Sequence, residues 1–283
     1  MLLQKSTLAH QAPDFSQIKS EDFATALLEA MSQQHATITT ITEDSSPVSF
    51  ANTILALEKS GEALLRVSNL FFALAGAHTN ETLQQTEKEI LPLLAAHEDS
   101  IYLNDKLFER IKSLYQTRIS LNLDAESLKL LEHYYDLFVL RGANLSPEGK
   151  ATLKQLNSQL ATLENDFNYN TLQARKEAAL IITQEEALVG LSPQEKQALK
   201  QPDGSWKIVL TNTTQQPLLS QLENEDTRRQ LFEHSWHRAS QGSYTTEPIV
   251  LKIISLRQQK AILLGYKNYA EWSLQKSVAK TPE

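Results

Sequence analysis

The sequence predicts a mostly α fold: a multi-helix body with one small β-ribbon inserted in it. Three observations carry that expectation. The 283 residues contain only 8 Gly and 9 Pro, too few turn residues for an all-β chain of this length. Ser, Thr, Asn and Asp recur just ahead of stretches whose apolar residues step by three and four, as capped amphipathic helices require. Two short segments break that period, and both are β-branched.

Taken in order, Ser20 ahead of Glu21 and Asp22 reads as an N-cap with an acidic first turn, followed by Phe23, Ala26, Leu27, Ala30 and Met31 at helical spacing. Pro47 interrupts the chain, residues 50–57 restart a helix, and Gly61 separates it from the apolar run 64–75. Asn80 and Asn104 are cap residues for the next helices, and Asp124 caps one through Leu128, Leu131, Tyr135 and Phe138 that should stop at Gly142. Ser146-Pro147-Glu148 opens the best-specified helix, with cap, N1 proline and acidic first turn in sequence. Its Leu153, Leu156, Leu160, Leu163 and Phe167 form a heptad seam, too short for a free coiled coil and expected to pack within its own bundle. The β-branched segments 179–183 and 206–210 can pair as a ribbon, with Asp203-Gly204 as a turn before the second and Ser192 opening a short helix between them. Helices return at 225–240, at 248–264 and from Asn268 onward. A soft boundary near 142–144 suggests two domains, a helical bundle over 1–142 and a second part over 143–283 holding the long helices and the ribbon.

Composition removes several function classes. The chain has 27 Lys and Arg against 34 Asp and Glu, a net charge of −7, and no basic block, so no nucleic-acid partner is expected. It has no Cys, which removes disulfide frameworks, thiolate zinc sites, iron–sulfur clusters and Cys nucleophiles. The N-terminal residues lack the apolar core of a signal peptide, and the longest greasy stretch, residues 70–75, is far too short to span a bilayer. A cytoplasmic protein without a membrane partner is the expectation.

Chemistry-bearing motifs are scarce. Gly142 and Gly149-Lys150 have the wrong spacing for a phosphate loop, and Ala151 stands where its metal-binding hydroxyl belongs. His97-Glu98 begins an H-E-x-x-H pattern, but Ile101 replaces the second imidazole. Glu233, His234 and His237 cluster on one helix. There Leu231, Phe232, Ser235, Trp236 and Ala239 mark the apolar face, so Glu233 and His237 should point to water rather than to a metal. Arg257 falls in the middle of an apolar stripe with Val250, Ile253, Ile254, Ala261 and Leu264, which calls for a partner or a snorkelling side chain. Tyr266, Tyr269 and Trp272 are expected in a core.

The order of several segments is nevertheless specific. Asn52-Thr53-Ile54-Leu55-Ala56-Leu57-Glu58, Ser60-Gly61-Glu62, Phe71-Phe72-Ala73 and Ala77-His78-Thr79-Asn80 lie ahead of Ile101-Tyr102-Leu103-Asn104-Asp105 and Asn212-Thr213-Thr214-Gln215-Gln216-Pro217. Leu263-Leu264-Gly265-Tyr266, Tyr269-Ala270 and Ala279-Lys280-Thr281-Pro282-Glu283 complete the series. In this colinear order, over essentially the whole chain, they resemble the N-terminal half of the bacterial peptidyl-dipeptidases (dipeptidyl carboxypeptidases), zinc metallopeptidases of the M3, oligopeptidase A and thimet oligopeptidase family.

That resemblance implies a two-lobed, nearly all-helical fold around a deep channel, and release of C-terminal dipeptides from short peptides. It implies zinc in the full-length family, on H-E-x-x-H and a further Glu. This sequence contains no such motif, so no catalytic, cofactor-binding or metal residue is assigned and no zinc is expected on this chain. Thr281-Pro282-Glu283 reads as a helix opening, so the chain is expected to be the non-catalytic wall of the channel, separated from its catalytic lobe. Its expected partners are that lobe and short peptides. The alternative is a stand-alone helical module that binds a protein or peptide.

Overall fold

A computed structural model describes residues 2–283. The elements run α1 (Asp22–Glu43), a π-helical turn (Ala51–Leu55) continuing into α2 (Ala56–Ser60), α3 (Glu62–Ala77), α4 (Glu81–Tyr102), α5 (Asp105–Gln116) and α6 (Ala125–Leu140). After these come α7 (Pro147–Glu177), β1 (Leu180–Ile182), α8 (Pro193–Leu199), β2 (Trp206–Ile208), α9 (Asn212–Gln221), α10 (Glu225–Trp236), α11 (Glu247–Leu263) and α12 (Tyr269–Leu274). The mostly α class with a small ribbon is therefore what the chain adopts. The residues group into two compact units, Met1–Thr162 with Ser255–Glu283, and Leu163–Ile254.

In the first unit α1 packs against α2, α3, α4 and α5, and α5 packs against α6. One apolar cluster gathers Phe23, Leu27, Val67, Phe71, Leu83 and Ile90, with the Phe23 and Phe71 rings 5.5 Å apart. A second gathers Ile38, Ile54, Leu107, Ile111, Leu131 and Phe138. Several expected caps are in place. Asn80 accepts from the Leu83 amide, Asn104 from Leu107 and Asp124 from Ser127. Ser20 does not cap α1. The helix begins at Asp22 behind Glu21, whose side chain makes no cap bond, and the Asp22 carboxylate itself accepts from the Lys19 amide at 3.0 Å. Ser20 Oγ instead accepts from Asn80 Nδ2 at 2.9 Å, a contact between segments that local spacing cannot reveal.

Gly142 ends α6 as expected. With φ at +96°, it lets the Ala143 amide reach Phe138 O and its own amide reach Val139 O, the paired bonds of a Schellman turn. Ser146 Oγ then accepts from the Gly149 amide at the start of α7. Along α7, Leu153, Leu156 and Leu160 are buried, while Leu163 and Phe167 are half-buried. The seam is thus spent largely on internal packing.

The second unit is built round the ribbon. β1 and β2 pair antiparallel in the register Leu180↔Ile208, Ile181↔Lys207 and Ile182↔Trp206, and alternation sends Leu180, Ile182, Trp206 and Ile208 into the core. Leu188, Leu210, Leu218 and Leu231 close that core. α8 carries a full capping box, Ser192 with Glu195. α10 stops at Trp236, short of the expected 240, because the His237 amide closes the last turn on Glu233 O and Ala239 takes a φ of +61°.

Gly190 marks the closest backbone approach in this unit. Its φ is +100°, and a Cβ there would lie 2.1 Å from Gln221 O. Replacing it by alanine must push apart the 189–190 and 221–223 segments, which the bond from the Glu223 amide to Val189 O holds together. Gly190→Ala is expected to cost about 2–4 kcal/mol of unfolding free energy in urea titrations followed by circular dichroism. Gly76→Ala, inside α3 with nothing within 4 Å of the added methyl, should be neutral or stabilising by up to about 1 kcal/mol.

Candidate functional site

Both units carry clefts in which charged and amide side chains converge. In the first unit α4 supplies Ala96 and Asp99, and α7 supplies Lys154, Gln155, Ser158 and Gln159, along a cleft of about 520 Å³. Asp99 is only 9% exposed. Asn157, on the neighbouring face of α7, donates from Nδ2 to Asp99 Oδ1 at 2.7 Å, and its own Oδ1 is buried without a donor. Burial pushes the Asp99 carboxyl above the usual aspartate range, and Glu98 adds to the rise. The Asn157 hydrogen bond, Lys260 and Lys154 pull it back down. This cleft offers both signs of charge and several amides, so it can bind polar groups. Asp99 is spoken for by Asn157 and is not paired with a nucleophile.

In the second unit α7 contributes Asn168, Thr171, Leu172 and Arg175 to a cleft of about 460 Å³ that Leu210, Thr211, Asn212, Thr213 and Arg238 complete. Arg238 Nη1 donates to Leu210 O at 2.9 Å, which fixes the guanidinium beside the start of α9. Two guanidinium groups in one cleft can attract and orient a carboxylate. They provide no means of breaking a bond.

The residues singled out in the sequence do not come together as a site. Glu233, His234 and His237 are all exposed on α10, as the face argument for Glu233 and His237 requires, and His234 Nδ1 lies 3.2 Å from Ala178 O. The opposite half of that argument needs correction. Leu231 is buried, but Phe232 and Trp236 face water, because the ribbon core covers only the Thr227–Leu231 side of the helix. Arg257 is half-buried with its guanidinium 4.9 Å from the centre of the Tyr269 ring. Tyr266, Tyr269 and Trp272 are half-buried rather than fully enclosed. Trp272 Nε1 donates to Leu140 O at 3.0 Å and Lys260 lies over its ring, so this group fastens α12 to the end of α6 within the first unit. His97 pairs through Nε2 with Gln34 Oε1 at 2.8 Å, and burial and the nearby His35 lower its pKa. Sequence reasoning did not find Asp99 and Asn157. They lie 58 residues apart, and no local pattern links them.

A hydrolytic zinc needs three protein ligands and an open position. Among the described residues no three His, Asp or Glu side chains are grouped to hold a metal ion. The residues present therefore do not fit that metal. Among the same residues, no helix is long and apolar enough to cross a membrane.

Comparison with known proteins gives these clefts a context. The family model for peptidase family M3 matches residues 218–283. The dipeptidyl carboxypeptidase of Escherichia coli is 41% identical over 99% of this chain and 42% of its own length. That of Salmonella typhimurium is 42% identical over 100% of the chain and 42% of its length. Oligopeptidase A of Salmonella typhimurium is 24% identical over 96% of the chain and 41% of its length. The chain thus spans about two fifths of the curated relatives it matches, and the resemblance read from the motifs is borne out along nearly its whole length.

The buried carboxyl supplies a test of the first cleft. Its folded-state pKa is raised, so the stability linked to its neutral form is fully present below the unfolded value and is lost as pH rises through the folded one. Asp99→Asn should therefore stabilise the chain at about pH 7 and give a much smaller difference at about pH 3. Urea titrations at the two pH values read this directly, and a pH-independent difference would contradict it.

Proposed function

From a chain akin to the peptidases of family M3 along nearly its whole length, we propose a non-catalytic portion of a zinc peptidase of the dipeptidyl carboxypeptidase kind. In this reading the chain forms one wall of the channel that admits short peptides. The observation that carries it is the 41% identity to the Escherichia coli dipeptidyl carboxypeptidase over 99% of the chain, in a sequence without H-E-x-x-H. Zinc, where present in the full-length relatives, would polarise the peptide carbonyl and acidify water. The residues of this chain would do something else.

Their part is binding and orientation. Arg175 and Arg238 suit a peptide carboxylate, and the Asp99 cleft, with Lys154, Gln155 and Gln159, suits the amides of an extended main chain. A wall of this kind selects peptides by length and polarity and leaves bond cleavage to groups elsewhere. The absence of Cys is consistent with the reducing cytoplasm, which we propose as its compartment.

The chain alone, supplied with zinc, is expected to release no C-terminal dipeptide from short peptides. A hybrid in which it replaces the matched segment of the Escherichia coli enzyme is expected to do so. Chelator-sensitive turnover by the pure chain would overturn the reading, as would a folded hybrid without activity.

A further inference from the structure

An amphipathic helix that is covered on one flank only advertises a second contact. α10 is such a helix. Its sequence places Leu231, Phe232, Ser235 and Trp236 on one face, and the core of the second unit takes Thr227 and Leu231 from it. Phe232 and Trp236 remain 50% and 73% exposed, one helical turn apart, with ring centres 5.6 Å apart and planes within 16°. Stacked in this way the two rings form an apolar ledge. Exposed Glu233 and His234 beside it provide the polar rim of a typical interface. In the same unit, α11 leaves Leu251 and Ile254 62% and 59% exposed, one turn apart. Both helices lie within residues 218–283, the segment that the peptidase family model matches.

What covers the ledge follows from the relatives. They match this chain end to end at 41–42% identity, yet the match accounts for only 42% of their length, so most of each relative is polypeptide outside the matched segment. We propose that the Phe232–Trp236 ledge is the seat on which a body equivalent to that unmatched polypeptide packs. The inference rests on the function proposed above and names the partner and the residues that hold it. Trp and Phe fit the role because large, rigid aromatic side chains give the most contact area for the least loss of side-chain freedom and dominate association energies. Neither ring belongs to the core cluster of the second unit, so the ledge carries only a small share of that unit's folding.

The test uses the chain and the hybrid with the Escherichia coli enzyme. Hydroxyl-radical labelling read by mass spectrometry should oxidise Trp236 at least ~5-fold more slowly in the hybrid than in the chain alone. Phe232→Arg with Trp236→Arg should lower the melting temperature of the chain by no more than about 4 °C and lower dipeptide release by the folded hybrid at least ~10-fold. Equal labelling of Trp236 in both proteins overturns the proposal. So does protection of Trp236 in the chain alone at raised concentration, because the occupant is then a second copy. A hybrid that protects Trp236 but releases no dipeptide upholds the ledge and sinks the functional reading. An active hybrid indifferent to the double substitution does the reverse. Should the hybrid fail to fold, the same labelling of the aligned helix in the unaltered Escherichia coli enzyme decides: protection there supports the seat, and labelling as fast as in this chain removes it.

Discussion

Leu153, Leu156 and Leu160 have to be kept from water along one side of a 31-residue helix, and the turn that precedes that helix answers to the requirement. The turn after α6 has to come close enough to cover Leu153. It does so at Gly142, where a Cβ would sit 2.7 Å from Leu153 Cδ2 and 3.1 Å from Leu264 Cδ2. The end of α6, the start of α7 and the end of α11 therefore meet at a point that admits no side chain. Once the stripe is seated, the neighbouring face of α7 has no freedom of rotation. Lys150 must reach inward to Asp105 and Leu103 O, and Asn157 must meet Asp99. The polar cleft follows from the apolar packing, since a helix rotated by one residue would break both contacts.

The segments that signal kinship with the peptidases do architectural work. Asn52 and Thr53 lie in the π-helical turn and receive the Arg110 guanidinium, whose Nη1 also donates to Asp44 O at 2.8 Å. A π turn displaces backbone from the regular ladder, and the Arg110 cluster supplies partners on its buried side. Asn80 and Asn104 cap helices, and Asp105 pairs with Lys150. Gly265 closes α11 with the same paired bonds as Gly142, and Tyr269 receives Arg257.

How legible this was depends on the range of each interaction. Caps such as Asn104 and Ser192 and the stop at Gly142 are set by neighbours or by one turn of chain, and residue type at fixed spacing reveals them; β1 and β2 show instead as β-branched runs, although their pairing spans the intervening α8. Ser20 misleads because its hydroxyl is claimed by Asn80, sixty residues on. Asp99 and Asn157 are invisible for the same reason. The passage of α7 from one compact unit to the other at Thr162 leaves no trace, because the helix is continuous there and its composition does not change. Phe232 and Trp236 are a different case. Periodicity says which face of a helix is apolar and nothing about whether the chain holds enough other surface to cover it.

That last distinction bears on why the ledge exists at all. Trp236, at 73% exposed, contributes little to folding, and Phe232, at 50%, contributes about half of what full burial would. Polar residues at the same positions would fold nearly as well and keep the surface more soluble. The larger part of the advantage of aromatic residues appears only when something covers them, full burial of such a side chain being worth about 1.5–3 kcal/mol of transfer free energy. The Arg110 cluster and the α7 stripe are explained by the fold in which they sit. The packing around α10 gives no such account of its stacked pair, and the association proposed for it would supply one.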